Sequence, residues 1–180
     1  TRITTTMTQQ DIKHFLDSKV AQYNNTEFID TDPVQIPHRY SLKEDIEIAG
    51  FLAATISWGK RPMIIKNCLS MMELMENTPY DFVMNHSAKD LESLSQFKHR
   101  TFNGIDFSFL ISALKNIYTN HQSLEAVFFK HIQNNSLQPS IHSFKKLFFE
   151  IEHPARTTKH VSDPLKGSAA KRINMFLRWM

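Results

Sequence analysis

The stretch Ile46-Glu47-Ile48-Ala49-Gly50-Phe51-Leu52-Ala53-Ala54-Thr55-Ile56-Ser57-Trp58 is apolar on nearly every side when it is drawn as a helix. Such a helix is usually buried all round, so the stretch predicts the centre of a helical bundle. The residues Ser41-Leu42-Lys43-Glu44 before it form a capping-box pattern, which predicts that the helix begins there. We therefore expect the fold to be organised around this central helix.

The segment Trp58-Gly59-Lys60-Arg61-Pro62 is predicted to end the central helix and to start the next one. Glycine suits the left-handed residue that follows a helix, and proline suits the first turn of a helix. The segment therefore predicts a helix–turn–helix whose corner carries a tryptophan and two cations.

Most of the remaining chain has apolar residues at helical spacing, and it contains no convincing alternating pattern of a strand. A helix over 8–24 is expected to pack on a core of about seven further helices. Asn103-Gly104 indicates a turn in a polar connector. The sequence thus predicts an all-α fold, an orthogonal multi-helix bundle in a single domain over 1–180. Met180 lies inside a predicted helix with no residue to end it, so we expect further sequence and a bundle that is C-terminally incomplete.

The composition is that of a globular protein with a mild positive charge. There are 21 Lys and Arg against 18 Asp and Glu, a net charge of +3, which permits a polyanionic partner without requiring one. The single cysteine, Cys68, excludes an internal disulfide and fits a reducing compartment. No apolar run is long enough to span a membrane, and Thr1–Gln10 lacks the apolar core of a signal peptide. We therefore expect a cytoplasmic protein without a membrane partner.

The last predicted helix carries the candidate catalytic residue, Lys171. Ser168 is the expected N-cap, which places Lys171 in the first turn, where the helix dipole disfavours a cation. With partial burial, that field favours a neutral amine, which is a nucleophile. A solvated surface lysine is the alternative interpretation.

Other cations gather at loops or helix starts, where outward backbone N–H groups also favour phosphate. These candidate nucleic-acid-binding residues are Lys60, Arg61, Lys98, Arg100, Lys166 and Arg172, together with Trp58, which is a candidate to stack on a base. Solvated loop charges are the alternative. The nine histidines are scattered without metal-ligand spacing, and the four glycines form no phosphate loop, so neither a metal site nor a cofactor is predicted.

The run Ala170-Lys171-Arg172-Ile173-Asn174-Met175-Phe176-Leu177-Arg178-Trp179-Met180 resembles an uncharacterised bacterial family that carries a KRLNLFLRWM-type motif. Residues 97–107 and Asp32-Pro33 resemble the same family. That family is in turn distantly similar to the helix–hairpin–helix DNA glycosylases of base-excision repair. Residues 47–65 resemble their buried helix and its corner.

The glycosylase resemblance implies a role for Lys171 like that of the Schiff-base lysine in the archaeal bifunctional 8-oxoguanine branch. Lys171 would attack C1′ of a flipped nucleotide in double-stranded DNA, and the cations above would hold phosphates. Two features depart from the pattern. The phosphate-binding hairpin is absent, since Lys166-Gly167-Ser168 keeps one glycine, and the glycosylase aspartate would fall after Met180.

Three hypotheses therefore stand: a DNA glycosylase-like enzyme, a non-catalytic nucleic-acid-binding module, and a helical protein-interaction domain. The loss of the phosphate-binding hairpin motivates the non-catalytic module, and the modest net charge motivates the protein-interaction domain. Steep salt dependence of DNA binding separates the first two from the third.

Overall fold

The computed structural model describes residues 7–180 and is mostly helical, which confirms the all-α prediction. The helices within these residues are α1 Gln9–Tyr23, α2 Thr26–Ile29, α3 Lys43–Thr55, α4 Arg61–Leu74, α5 Pro79–Asn85, α6 Ala88–Ser93, α7 Gly104–Asn120, α8 Leu124–Lys130, α9 Gln138–Phe148 and α10 Lys171–Trp179. A small antiparallel hairpin, β1 Lys98–His99 and β2 Phe102–Asn103, precedes α7. Short 3-10 turns connect several of these elements.

The central helix α3 is buried as its apolar sequence predicts. Every residue from Glu47 to Thr55 is buried, and α10, α5 and α4 pack against the helix. Gly50 leaves room for Met180, the residue after α10, since a Cβ at position 50 would lie 2.7 Å from Cε of Met180. The sequence thus placed the correct helix at the centre of the fold.

Phenylalanines from separate helices meet around Phe51 of α3. Its ring lies 5.6 Å from that of Phe144, 5.3 Å from that of Phe148 and 5.7 Å from that of Phe176. These separations and the tilted or edge-on ring angles are those that aromatic pairs prefer. The cluster fixes α9 and α10 against α3, and it therefore determines where the start of α10 lies relative to the end of α3.

Glu47 is the one charged side chain among the buried residues of α3. Its carboxylate accepts hydrogen bonds from the Tyr118 hydroxyl at 2.6 Å and from the backbone N–H of Leu124 at 3.1 Å, so it caps the start of α8. Burial, together with the nearby Glu47 carboxylate, raises the pKa of Tyr118. These hydrogen bonds compensate for the burial of the Glu47 charge, and the role of this carboxylate is therefore to hold the fold together.

The ends of α3 differ from the prediction. The helix begins at Lys43 after an N-cap residue, Leu42, that makes no side-chain cap bond, so the predicted capping box at Ser41 is wrong. The helix ends at Thr55, which leaves Trp58 in the turn before α4. Gly59 has the predicted positive φ, at 116°, but it lies four residues after the end of α3, so the prediction that it caps this helix is wrong.

The Asn103-Gly104 pair does not form a turn, so that prediction is wrong. The hairpin turns at Arg100 and Thr101, and Arg100 takes the left-handed conformation with φ 54°. Asn103 is instead the N-cap of α7 and forms a capping box with Asp106. Asparagine serves both purposes because its side chain bonds nearby backbone in turns and at helix starts alike.

The first helix, α1, has no buried residue, so its predicted packing onto the core is not seen. Its apolar stripe is exposed, with Phe15 at 53% and Leu16 at 54%. Across residues 7–180, every helix is too short or too polar to cross a bilayer.

Candidate nucleic-acid interface

Trp58 lies in the turn between α3 and α4 and is the centre of a cluster of aromatic and cationic side chains. The guanidinium of Arg172 lies 4.9 Å from the centre of its ring. The ring of His99 meets it edge-on at 5.0 Å, and the ring of His160 is nearly parallel to it at 6.4 Å. We call these four residues the Trp58 cluster. They come from the α3–α4 turn, the hairpin, the segment before α10, and α10 itself.

Arg172 joins the start of α10 to the end of α3. Its Nη1 donates a hydrogen bond of 2.6 Å to the carbonyl oxygen of Thr55, one of the end carbonyls of α3 that lack a helical partner. Partial burial lowers the pKa of Arg172, but a guanidinium remains charged at neutral pH. The stacking on Trp58 adds a cation–π contact to this bond.

His99 holds the hairpin against the α3–α4 turn. Its Nε2 lies 3.1 Å from the carbonyl oxygen of Trp58, and its Nδ1 lies 2.7 Å from Nδ2 of Asn67. Because a carbonyl only accepts, Nε2 must donate and Nδ1 must accept from the amide, which defines a neutral ring. Burial lowers the pKa of His99, in agreement with that tautomer.

Behind the cluster lies a fully buried carboxylate, that of Asp106 in the first turn of α7. Arg156 binds it with two hydrogen bonds, Nε to Oδ1 at 3.2 Å and Nη2 to Oδ2 at 2.9 Å. Nε2 of His160 lies 3.1 Å from Oδ1, although the alignment is poor for a hydrogen bond. Burial lowers the pKa of His160, and the Asp106 carboxylate opposes that effect.

Exposed cations surround the Trp58 cluster. Arg100 lies against Gly59, where an added Cβ would be 3.2 Å from its Nη1. Lys60 follows Gly59, and Lys171 precedes Arg172 as the first residue of α10. Within residues 7–180, none of these four cations makes an ion pair with a carboxylate. We call Trp58 together with the four cations the cationic corner: Trp58, Lys60, Arg100, Lys171 and Arg172.

The start of α10 differs from the prediction in detail. The N-cap is Ala170, which adopts the left-handed conformation with φ 44° and provides no side-chain cap. The Ser168 hydroxyl instead accepts from the backbone N–H of Ala170 at 3.1 Å, before the helix begins. Lys171 is nevertheless in the first turn, as predicted, and it is exposed rather than partly buried.

Three of the predicted phosphate-binding cations do not face the Trp58 cluster. Arg61 pairs with Asp32 at 3.5 Å and lies over the ring of Phe28. Lys98 is exposed on β1, and because side chains alternate along a strand it points away from the side on which His99 meets Trp58. Lys166 ends a short turn near Lys145.

Four residues around the cluster were not among the predicted site residues. His99 and His160 were counted among the scattered histidines, and neither Asp106 nor Arg156 was given a role. The sequence signals were that residues 97–107, which include His99 and Asp106, resemble a known family and that His99 lies between the candidate cations Lys98 and Arg100. That resemblance gave neither residue a role.

No group of three or more His, Cys, Asp or Glu side chains in the described part of the chain could hold a metal ion. Cys68 is buried in the core, and burial raises the pKa of its thiol to about 12. It is therefore a packed thiol rather than a nucleophile.

Together these features define a mostly helical protein with a cationic corner between α3 and α10. The chain belongs to a family described as a protein of unknown function (DUF2400), whose model matches residues 32–180. The helices α1 and α2 lie before the matched residues. No curated protein and no solved structure matches the chain. The expectation of a family without established function is thus confirmed.

Proposed function

We propose that this protein binds the phosphates of double-stranded DNA at the cationic corner, on a helical fold related to the helix–hairpin–helix glycosylases. The observation that carries the proposal is that Arg100 lies against Gly59 in the turn of Trp58 and Arg172 lies over the Trp58 ring, with Lys171 next to Arg172 at the start of α10. The hairpin that carries Arg100 and the helix α10 that carries Lys171 and Arg172 are far apart in the sequence, and no carboxylate of the described residues forms an ion pair with these cations.

The local backbone supports the same ligand chemistry. The first N–H groups of a helix have no helical partner, and the N-cap of α10, Ala170, offers none from its side chain. Such N–H groups favour an anion, and Lys171 and Arg172 add positive charge at the same helix start. Arginine is suited to phosphate because its planar guanidinium can bind two oxygens at once. These contacts would position DNA without reading its sequence.

We expect the protein to bind a short DNA duplex with an affinity that falls steeply as salt rises. Arg100→Ala and Lys171→Ala should each reduce the slope of log affinity against log salt by about 0.9, because each removes one phosphate contact. Fluorescence anisotropy at several salt concentrations measures this slope. Undamaged, abasic and 8-oxoguanine duplexes should be compared, since a preference for the lesions would favour a repair role.

Lys89→Ala and Lys130→Ala provide the matched controls, because both lysines are exposed and lie on α6 and α8. They should leave the salt slope unchanged. If the control variants reduced the salt slope as much as the corner variants, the assignment of phosphate contacts to the cationic corner would be wrong. If the protein does not bind DNA at low salt, the nucleic-acid proposal is wrong and the protein-interaction hypothesis stands, with the exposed stripe of α1 as its candidate surface.

A catalytic role for Lys171 remains a separate prediction. The residue is accessible at the first position of α10 beside Arg172, so its amine could reach a flipped sugar at the corner. Borohydride should then trap a covalent adduct with an abasic or 8-oxoguanine duplex, and Lys171→Ala should abolish it. Lys166→Ala is the control and should leave the adduct intact. Salt-dependent binding without any adduct would instead support the non-catalytic module.

A further inference from the structure

We infer that Asp106, Arg156 and His160 are positioning residues that hold the two arginines of the cationic corner in place. The inference rests on the proposed function, and it assigns a role to a buried network that the phosphate contact itself does not use. Asp106 is fully buried and His160 is 3% exposed, so neither can touch DNA directly.

One arm of the network leads from Asp106 to Arg172. Nε2 of His160 lies 3.1 Å from Oδ1 of Asp106, and its ring lies nearly parallel to that of Trp58 at 6.4 Å. The Trp58 ring also contacts the Arg172 guanidinium at 4.9 Å, and the His99 ring meets it edge-on at 5.0 Å. The position of the indole ring thus depends on His160, and the position of the guanidinium depends on the indole ring.

The second arm leads from Asp106 to Arg100. Nη2 of Arg156 binds Oδ2 of Asp106 and also donates to the carbonyl oxygen of Thr101 at 2.9 Å. Thr101 shares the hairpin turn with Arg100, whose left-handed backbone is an unfavourable conformation for a residue with a Cβ. Arg156 therefore ties the strained turn to the buried carboxylate and fixes the hairpin beside Gly59.

The two arms account for a buried charge that is otherwise costly. A carboxylate without access to water is retained only when it is paired and hydrogen-bonded, and a solvent-exposed aspartate would cap α7 equally well. Asp106 is placed where one group can hold elements that are distant in the sequence. Rigid support of this kind keeps binding residues in their productive geometry.

A double-mutant cycle tests the first arm. In the wild-type background, His160→Ala should weaken binding to a short DNA duplex about threefold, because Trp58 loses a ring that positions it and the cation–π contact with Arg172 weakens. In the Arg172→Ala background, the same change should have no further effect. In the Arg100→Ala background, the residue that the second arm positions is absent. The threefold loss caused by His160→Ala should persist there, because the first arm is intact.

Rescue by a conservative variant separates positioning from a general loss of stability. His160→Gln keeps an N–H group near Asp106 and a planar amide that can lie against the Trp58 ring, so it should restore most of the binding, whereas His160→Ala should not. The inference would be overturned if His160→Ala weakened DNA binding by the same factor in the Arg172→Ala background, or if His160→Gln failed to restore binding.

A measurement without DNA keeps this inference distinguishable from the proposed function. The protein has two tryptophans, so Trp179→Phe identifies the indole N–H peak of Trp58 in a ¹H–¹⁵N spectrum. His160→Ala should shift that peak, and His160→Gln should return it towards its wild-type position. If the wild type does not bind DNA, the proposed function fails while the peak still reports on the positioning of Trp58. An unshifted peak in His160→Ala would overturn the inference by itself.

Discussion

Asp106→Ala is expected to lower the free energy of unfolding by about 3 kcal/mol in urea or thermal denaturation. The side chain is fully buried, and its carboxylate binds Arg156 twice and lies beside His160. Removal leaves a guanidinium and an imidazole that were arranged around a negative charge. It also removes the acceptor for the N–H of Asn103 at the start of α7.

The size of this effect follows from which partner remains buried. Breaking a buried ion pair costs about 3–5 kcal/mol when the remaining charge cannot reach water. The side chain of Arg156 is 39% exposed and can hydrate, so the lower end of that range applies. Asp106→Asn keeps an acceptor for the cap bond and loses the charge, so its loss should be intermediate.

Asp90→Ala is the matched control for this prediction. Asp90 occupies the same position in the capping box of α6, where it bonds Ser87, but it is accessible to solvent. Its replacement should have a much smaller effect than that of Asp106, because only the cap is lost and the backbone can bond water instead. Similar losses in the two variants would show that Asp106 matters as a helix cap and not as the centre of a buried network.

The sequence predicts the parts of this fold that depend on local pattern. The central helix is predicted because its apolar residues surround the axis, and Gly59 is predicted because only a few residues tolerate a positive φ. Lys171 is correctly predicted in the first turn of α10, again from the local sequence pattern. The exact starts of α3 and α10 are not predicted, since their N-cap residues, Leu42 and Ala170, make no side-chain cap bond and so leave no local signal in the sequence.

The candidate site is less predictable because its contacts join distant parts of the chain. The contacts of the Trp58 cluster join Trp58, His99, His160 and Arg172. They form only after the hairpin, the segment that carries His160, and α10 have packed around the end of α3. A single histidine in a polar loop carries no local sign that it will be buried. The same limit applies to Arg61, whose partner Asp32 draws it away from the corner that its sequence neighbours form.

Gly104→Ala is expected to destabilise the protein by at least about 2 kcal/mol, although alanine is the better helix former. Gly104 is the first residue of α7, and it is packed against the turn formed by Leu94 and Ser95. A Cβ would lie 2.5 Å from the carbonyl oxygen of Leu94 and 2.5 Å from Cα of Ser95. These are backbone atoms, so α7 must move to relieve the clash.

Two opposing contributions to stability decide whether Gly104→Ala stabilises or destabilises the protein. The gain in helix propensity is at most about 1 kcal/mol, and it is smaller at a first position than in a helix interior. Overpacking against a fixed backbone costs about 1–3 kcal/mol, and contacts this short belong at the upper end. A shift of α7 would also displace Asp106, which is in the same turn, so Gly104→Ala should weaken DNA binding as well as stability.

Gly50→Ala in α3 is the control that separates the two terms. There the added Cβ would meet Cε of Met180 at 2.7 Å, the end of a flexible side chain that can turn away. The propensity gain should therefore offset the clash, and the midpoint of urea unfolding should change little. If Gly104→Ala were as stable as Gly50→Ala, the close packing of α7 on the Leu94–Gln96 turn would be wrong. The pair of variants thus tests whether the glycine at the start of α7 is required because α7 packs against backbone atoms there.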